Sequence, residues 1–326
     1  MKNIFKLVGM AVIFILFMAN VSATAADYPT KPVTLINPMS PGGSHDILGR
    51  AFASVAEKYL GQPLVVINKP GATGMIGGLA GAQAAPDGYT LTESSASMTC
   101  AIEWEIAEGR KPPFTRHDFI NIVAFNMSPT LVIVPYDSPW KTLTDLINNA
   151  KAKPGHYAFC SGGLYGMSHV PAEILARTLG MKFRHVPYTG GGPCLTAVVG
   201  KHVDFATQYP STSVPLVRGN KIRVLVVQGD RRLKSLPNVP SVKELGINAE
   251  YYGWVGISVP LKTPTPIVEK LKEVAKKVVE DKTYIDMIEK LGDEVSYKIG
   301  DDMTKFWDSE SEMVAKIFKQ LIEEKK

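Results

Sequence analysis

The strongest constraint in this 326-residue sequence is a steady alternation of short apolar runs with helix-forming stretches. Val33 to Ile36 reads as a strand, followed by the loop NPMSPGGSHD and a helix from about Ile47 to Tyr59 that Gly61 stops. Leu64 to Ile67 leads into NKPGATGMIGG and a short helix; the turn Ala85, Pro86, Asp87, Gly88 then precedes strand Tyr89 to Thr92. The second half repeats the theme. Strand Tyr157 to Phe159, loop CSGGLYGMSH and a helix ending near Gly180 come first; strand Phe183 to Val186, loop PYTGGGPC and a helix to Gly200 follow, then strands Val203 to Ala206 and Ile222 to Val227. Strands separated by helices pair in parallel, so the sequence predicts an α/β fold with mostly parallel sheets.

Four of the strand-to-helix turns carry clustered Gly with Ser, Thr or Asn, two in each half. Glycine lets backbone N–H groups approach a ligand closely, and each turn opens a helix whose positive dipole end favours an anion. Thr130 to Pro135 (TLVIVP) and Trp254 to Pro260 (WVGISVP) look alike: each is an apolar strand ending in Pro, followed by a polar stretch and an amphipathic helix. Two strands crossing together predict a discontinuous first lobe, residues 26–131 plus 253–326, and a second lobe, 132–252, inserted on a two-strand hinge. The stretch from Ile267 onward reads as helical and rich in Lys and Glu, a solvated face on the first lobe.

Composition narrows the class further. Hydrophobic residues make up 45% and charged ones 21%, enough for two globular cores, and the 28 Gly and 23 Pro follow no period, which excludes collagen-like and short-repeat folds. Lys2 and Lys6 precede an uncharged run from Leu7 to Ala19 and the small residues Ala23, Thr24, Ala25, the order of a secretory signal peptide over residues 1–25, cleaved near Ala25. Its loss takes the net charge from +5 to +5 − 2 = +3, too mild a balance to suggest nucleic acid. Of three cysteines, Cys160 and Cys194 each follow a strand of the second half and could close a disulfide after export; two small buried thiols is the simpler reading. No Cys or His spacing suits a metal, and no cofactor is called for.

Seven segments in order carry a family resemblance: YPTKPVTLINPMSPGGSHD, NKPGATGMIGG, APDGYTL, the SGG loop with His169 behind it, HVPYTGGGPCLTAVVGKHVD, RVLVVQGDRRLKSLPNVPSVKEL and WVGISVPLKTPTPIVEKL. The chain resembles the solute-binding receptors of the tripartite tricarboxylate transporter family over nearly its whole mature length. The resemblance implies a two-lobe, type II periplasmic binding (Venus-flytrap) fold, a small carboxylate ligand, no catalysis, and delivery to a membrane permease of one small and one large subunit. It implies a periplasmic protein, for which a monomer is the default reading. Family ligands are held by loop amides and hydroxyls, which here places first-lobe contacts at Ser40, Gly43, Ser44, His45, Thr73 and Ser94 or Ser97. Second-lobe contacts fall at Ser161, Gly163, Tyr165, Ser168, Tyr188, Thr189, Gly190 and Gln208.

Two of these depart from the family pattern, which favours a small residue at each place. His45 can donate to a carboxylate, or be a solvent-facing loop histidine; Tyr165 can stack on an aromatic acid or narrow the pocket. Asp46 would repel an anion and reads as a helix cap. Ser40, Ser44, Ser161 and Ser168 also suit turns that satisfy their own backbone. His169 and His185 read as scaffold, and Trp104 and Trp254 as core or lobe packing or else as ligand platforms. An exported hydrolase would need a nucleophile from SGGLYGMSH and a base from His169 or His185, but no G-x-S-x-G elbow surrounds any Ser. A sensor subunit for a signalling partner would keep the same fold and site; neighbouring permease genes would separate transport from sensing.

Overall fold

The computed structural model describes residues 28–323, so the expected export segment lies outside the described residues. The first sheet begins with β1 (Val33–Asn37), α1 (Ser44–Leu60), β2 (Leu64–Asn68), α2 (Met75–Ala82), β3 (Thr90–Ser95) and α3 (Ala96–Ala107). β1 pairs in parallel with β2 and β3, Val33 opposite Leu64 and Leu35 opposite Leu91.

The joint of the molecule is β4 (Phe119–Pro135), whose 17 residues reach roughly 55 Å. Its first part pairs antiparallel with β9 (Tyr252–Pro260), from Phe119 opposite Pro260 to Pro129 opposite Tyr252. From Thr130 the partners change to β7 (Phe205–Gln208) and β8 (Ile222–Gln228). Pro129, with no N–H to give a ladder, stands at that change. The apolar pattern revealed only TLVIVP because Asn121, Asn126, Ser128 and Pro129 interrupt the preceding run, and because register shifts between Asn121 and Val123 and between Ala124 and Asn126 break the alternation.

Between the two halves of the first sheet come α4 (Leu143–Ala152), β5 (Ala158–Ser161), α5 (Val170–Thr178), β6 (Arg184–Pro187), α6 (Gly191–Val199), β7, α7 (Pro210–Arg218) and β8. The strand order is β2-β1-β3-β9-β4-β7-β5-β6, with β4 shared by both sheets. The chain returns through α8 (Thr265–Val279), α9 (Lys282–Lys290), β10 (Lys298–Ile299) and α10 (Asp301–Glu323). β10 interrupts the expected helical stretch and adds to β4 opposite Val123 and Ala124.

Burial follows the amphipathic patterns. Val33 and Leu35 of β1 pack with Phe52 of α1 and with Val274 and Val278 of α8. On the other face of the first sheet, Met98 and Ile102 of α3 meet Trp307 and Phe318 of α10. That second cluster also contains Tyr165, Met167, Val170 and Tyr209, so it runs across to the other sheet. The second sheet is covered on both faces, by Leu146, Leu175 and Phe159 in one cluster and Leu195, Val198 and Val214 in another. Two α/β lobes thus share one long strand.

Candidate functional site

Five helices begin at the seam between the two sheets. The residues at their starts, Gly43 and Ser44 of α1, Ser97 of α3, Ser168 ahead of α5, Gly191 of α6 and Tyr209 ahead of α7, line one small cavity with Met39, His45, Gly162, Gly166 and Met167. None of these five starts carries a side-chain cap. Thr142 caps α4 through Asp145 N–H and Asp281 caps α9 through Thr283 N–H, while α2 and α8 also lack a side-chain cap. Helix starts so placed turn positive dipole ends toward the cavity without any charged side chain; Val170 N–H is taken by Gly166 O, and Pro171 and Pro210 have no N–H to give.

The seam is closed. Ser40 Oγ donates to Thr189 O at 2.8 Å, Thr73 Oγ1 to Leu164 O at 3.1 Å, and Met167 N–H to Ser97 Oγ at 3.3 Å. The enclosed cavity is about 20 Å³, room for one water. That volume is too small for a dicarboxylate.

His45 is 5% exposed, which overturns the solvent-facing alternative. Its Nε2 is buried with no partner, and burial pushes its pKa down to about 4, so the ring is neutral near pH 7. Asp46 turns away from the cavity: Oδ2 accepts from Gly42 N–H at 3.0 Å, and Oδ1 from Arg50 at 2.9 Å and Asn68 at 2.9 Å. Burial alone would raise its pKa; those hydrogen bonds hold the carboxyl below its usual value. No other titratable side chain except Tyr209 lines the cavity.

The sequence-derived residues divide by position. Gly43, Ser44, His45, Ser97 and Ser168 line the cavity. Ser40, Thr73, Thr189 and Gly190 meet across the seam. Gly163 packs on Thr73, and Gln208 Nε2 donates to Gly191 O at 3.4 Å. Ser94 lies elsewhere, its hydroxyl 2.9 Å from Ser258 Oγ inside the first sheet. Tyr188 gives its N–H to Ser161 O and packs on the second-sheet core. Tyr165 stacks on Trp104 of α3 with centroids 3.8 Å apart.

Cys160 at the end of β5 and Cys194 in the first turn of α6 form a disulfide with Cα atoms 5.6 Å apart, so the simpler two-thiol reading is corrected; Cys100 is free and buried. The two elements bring them together because β5 and β6 are parallel neighbours and α6 packs back over β5. Met39, Gly162, Gly166, Met167, Gly191 and Tyr209 were not anticipated. Tyr209 had a signal: strand end Gln208 followed by Tyr209-Pro210 places Pro at the first position of a helix.

Ser161 deserves comparison with a nucleophile because His185 Nε2 is 2.7 Å from its Oγ. The hydroxyl is fully buried and gives its one proton to Gly163 O at 2.7 Å, which assigns the Nε2 proton to His185 as donor. Burial and the neighbouring His169 push the His185 pKa down to about 3. This pair braces the turn after β5.

A cleft between two lobes, lined by hydroxyls and by helix starts without side-chain caps, fits a solute-binding protein of the two-lobe, type II periplasmic binding fold. Residues 48–323 match the tripartite tricarboxylate transporter family receptor, and the chain belongs to that family. A UPF0065 protein from the gbd 5′ region of Cupriavidus necator is 34% identical over 289 residues, 87% of this chain and 85% of its own length. The structure of the periplasmic binding protein BugD superposes with a TM-score of 0.83 at 26% identity, over 90% of this chain and 98% of that one. An R. palustris protein with adipate gives the same TM-score, 0.83, at 26% identity, over 90% of this chain and 98% of that one. No helix among the described residues is long and apolar enough to cross a membrane.

Proposed function

We propose that this protein is exported to the periplasm, captures a small carboxylate between its lobes, and delivers it to a permease made of a small and a large membrane subunit. The observation that carries the reading is the convergence of five uncapped helix starts on one cavity that holds no acidic side chain. Ser44, Ser97 and Ser168 add hydroxyls, and His45 Nε2 adds a buried polar atom in need of a partner. Two or three charge-assisted hydrogen bonds to a carboxylate would each contribute roughly 1.5–3 kcal/mol, less ordering costs. The adipate found in a relative supports the same ligand class.

The lobes of this reading are residues 26–131 with 253–326, and 132–252, hinged where β4 changes partner and where the chain returns at Tyr251 and Tyr252. A solute held by both lobes favours the closed state, and a permease that docks only that shape distinguishes loaded receptor from empty. The test is a thermal-shift screen of the mature chain against mono-, di-, tri- and aromatic carboxylates. An acid at 100 times its Kd should add about 2.7 kcal/mol of stability. Absence of a shift with every acid would remove the carboxylate assignment.

A further inference from the structure

Rings from both sides of the seam form a single stack. Trp104 belongs to α3, behind the first sheet, and Tyr165 to the loop after β5 of the second; their centroids are 3.8 Å apart at 27°. Under Tyr165 lies His169 at 4.8 Å, then His185 at 3.7 Å from His169, then Phe159 at 4.8 Å from His185, which roots the column in the second core. Phe318 of α10 closes the edges of Trp104 and Tyr165 at 5.3 and 5.5 Å.

Tyr165 is held for this contact. Its backbone takes φ +52°, a left-handed conformation that a bulky residue seldom adopts, and its N–H donates to His169 Nδ1 at 2.7 Å. Neither Trp104 nor Tyr165 lines the cavity. The neighbouring hydrogen bonds across the seam, those of Ser40, Thr73 and Ser97, are ones that water replaces at small net cost when the sheets part, while Met167, Val170 and Tyr209 continue the apolar cluster beside the stack. Parting Trp104 from Tyr165 exposes two broad apolar faces, so the stack resists opening.

We propose that Tyr165 and Trp104 are a clasp that sets the balance between closed and open lobes, and so fix solute affinity without touching the solute. The proposal rests on the solute-binding reading above and names positioning residues for it. Where solute binds only a form in which Trp104 and Tyr165 stay stacked, apparent Kd is the intrinsic value divided by the stacked fraction. Weakening the clasp therefore weakens every solute by one common factor and speeds its release. A ring that contacted solute would give losses that vary with solute size and aromaticity.

The variants are Tyr165→Ala, Tyr165→Leu, Tyr165→Phe and Trp104→Ala in the mature chain. Small-angle scattering without solute should show more open molecules for Tyr165→Ala, Tyr165→Leu and Trp104→Ala, and the native profile for Tyr165→Phe, which keeps the ring. The Leu variant retains apolar bulk should the Ala variant fold poorly. Calorimetric titration with malate, adipate, citrate and benzoate should show the same loss, about tenfold or more, for each acid that binds. Native scattering from the Leu and Trp104→Ala variants, or losses that differ strongly from acid to acid, would overturn the clasp. If the unaltered protein binds none of the acids, the carboxylate reading fails and the scattering alone decides the clasp.

Discussion

His45 has the sharpest chemistry of any single residue in the cleft. Desolvation places its pKa at about 4 against 6.5 for a free imidazole, and its Nε2 has no partner. The stability contributed by keeping this ring neutral is complete above about pH 6.5 and is lost as pH falls toward 4, because the unfolded chain takes up the proton first. That loss is on the order of 3 kcal/mol. A carboxylate against Nε2 reverses part of the penalty by favouring the charged ring, so the complex holds the proton more tightly than free protein and affinity should rise as pH falls. His45→Ala should weaken binding severalfold, flatten the affinity profile between about pH 8 and 5.5, and reduce the acid loss of stability seen in denaturant titrations. A variant whose affinity matches the parent across that range would take His45 out of the ligand shell. Glu93, buried against Gly49 of α1 with both oxygens unpartnered, has its pKa raised well above the ordinary carboxylate value by burial.

Among the elements, the turns decide what was legible. β1, β2, β5 and β6 were marked by apolar runs bounded by Gly and Pro, and the turns after β1, β5 and β6 announced themselves by glycine. The starts of α3 and α7 carry no such cluster, so Tyr209 was missed and Ser97 was reached only through the family resemblance. β4 was half visible because its polar residues make side-chain hydrogen bonds, Asn121 with Ser258 and Thr304 and Ser128 with Asp293, that interrupt the apolar run. Tyr165 illustrates a limit of another kind: its stacking partner lies 61 positions back in the chain, and no local pattern encodes a contact between two sheets. The Cys160–Cys194 bridge was likewise undecided, since only the β5–β6 register and the return of α6 bring the thiols together. It ties the turn after β5 to the start of α6, two walls of the cleft, across a separation of 34 residues. A closed loop of that length should stabilise the fold by about 3–4 kcal/mol. Replacing both cysteines with Ala should lower the denaturation midpoint accordingly and weaken solute binding. Unreduced, unfolded protein should titrate one thiol, that of Cys100; three would contradict the bridge.

At the scale of the whole molecule, function depends on two sheets that can approach until backbone meets backbone. Gly190 shows how close they come: a Cβ there would lie 2.8 Å from Ser40 Cβ and 3.1 Å from Ser40 Oγ, across the seam. The backbone at Gly190 is extended, with φ 171° and ψ 171°, so alanine is excluded by its neighbour and not by its own torsions. In a parted molecule the same methyl meets nothing of Ser40. Gly190→Ala is therefore a wedge that acts on closure, and opening relieves it without unfolding either lobe. The expected result is a solute-free scattering profile shifted toward the open form, an apparent Kd raised about tenfold or more, and a denaturation midpoint close to that of the parent. The clasp lies between Trp104 and Tyr165, whereas the wedge sits between the turn after β1 and the start of α6, so the two variants load different parts of one seam. If the lobes move as rigid bodies on β4 and the Tyr251 return, both should open the same coordinate and give scattering curves that superpose. Curves of different shape would mean that the seam yields piecewise, by local loop movement, and the two-strand hinge would no longer account for how solute gains entry.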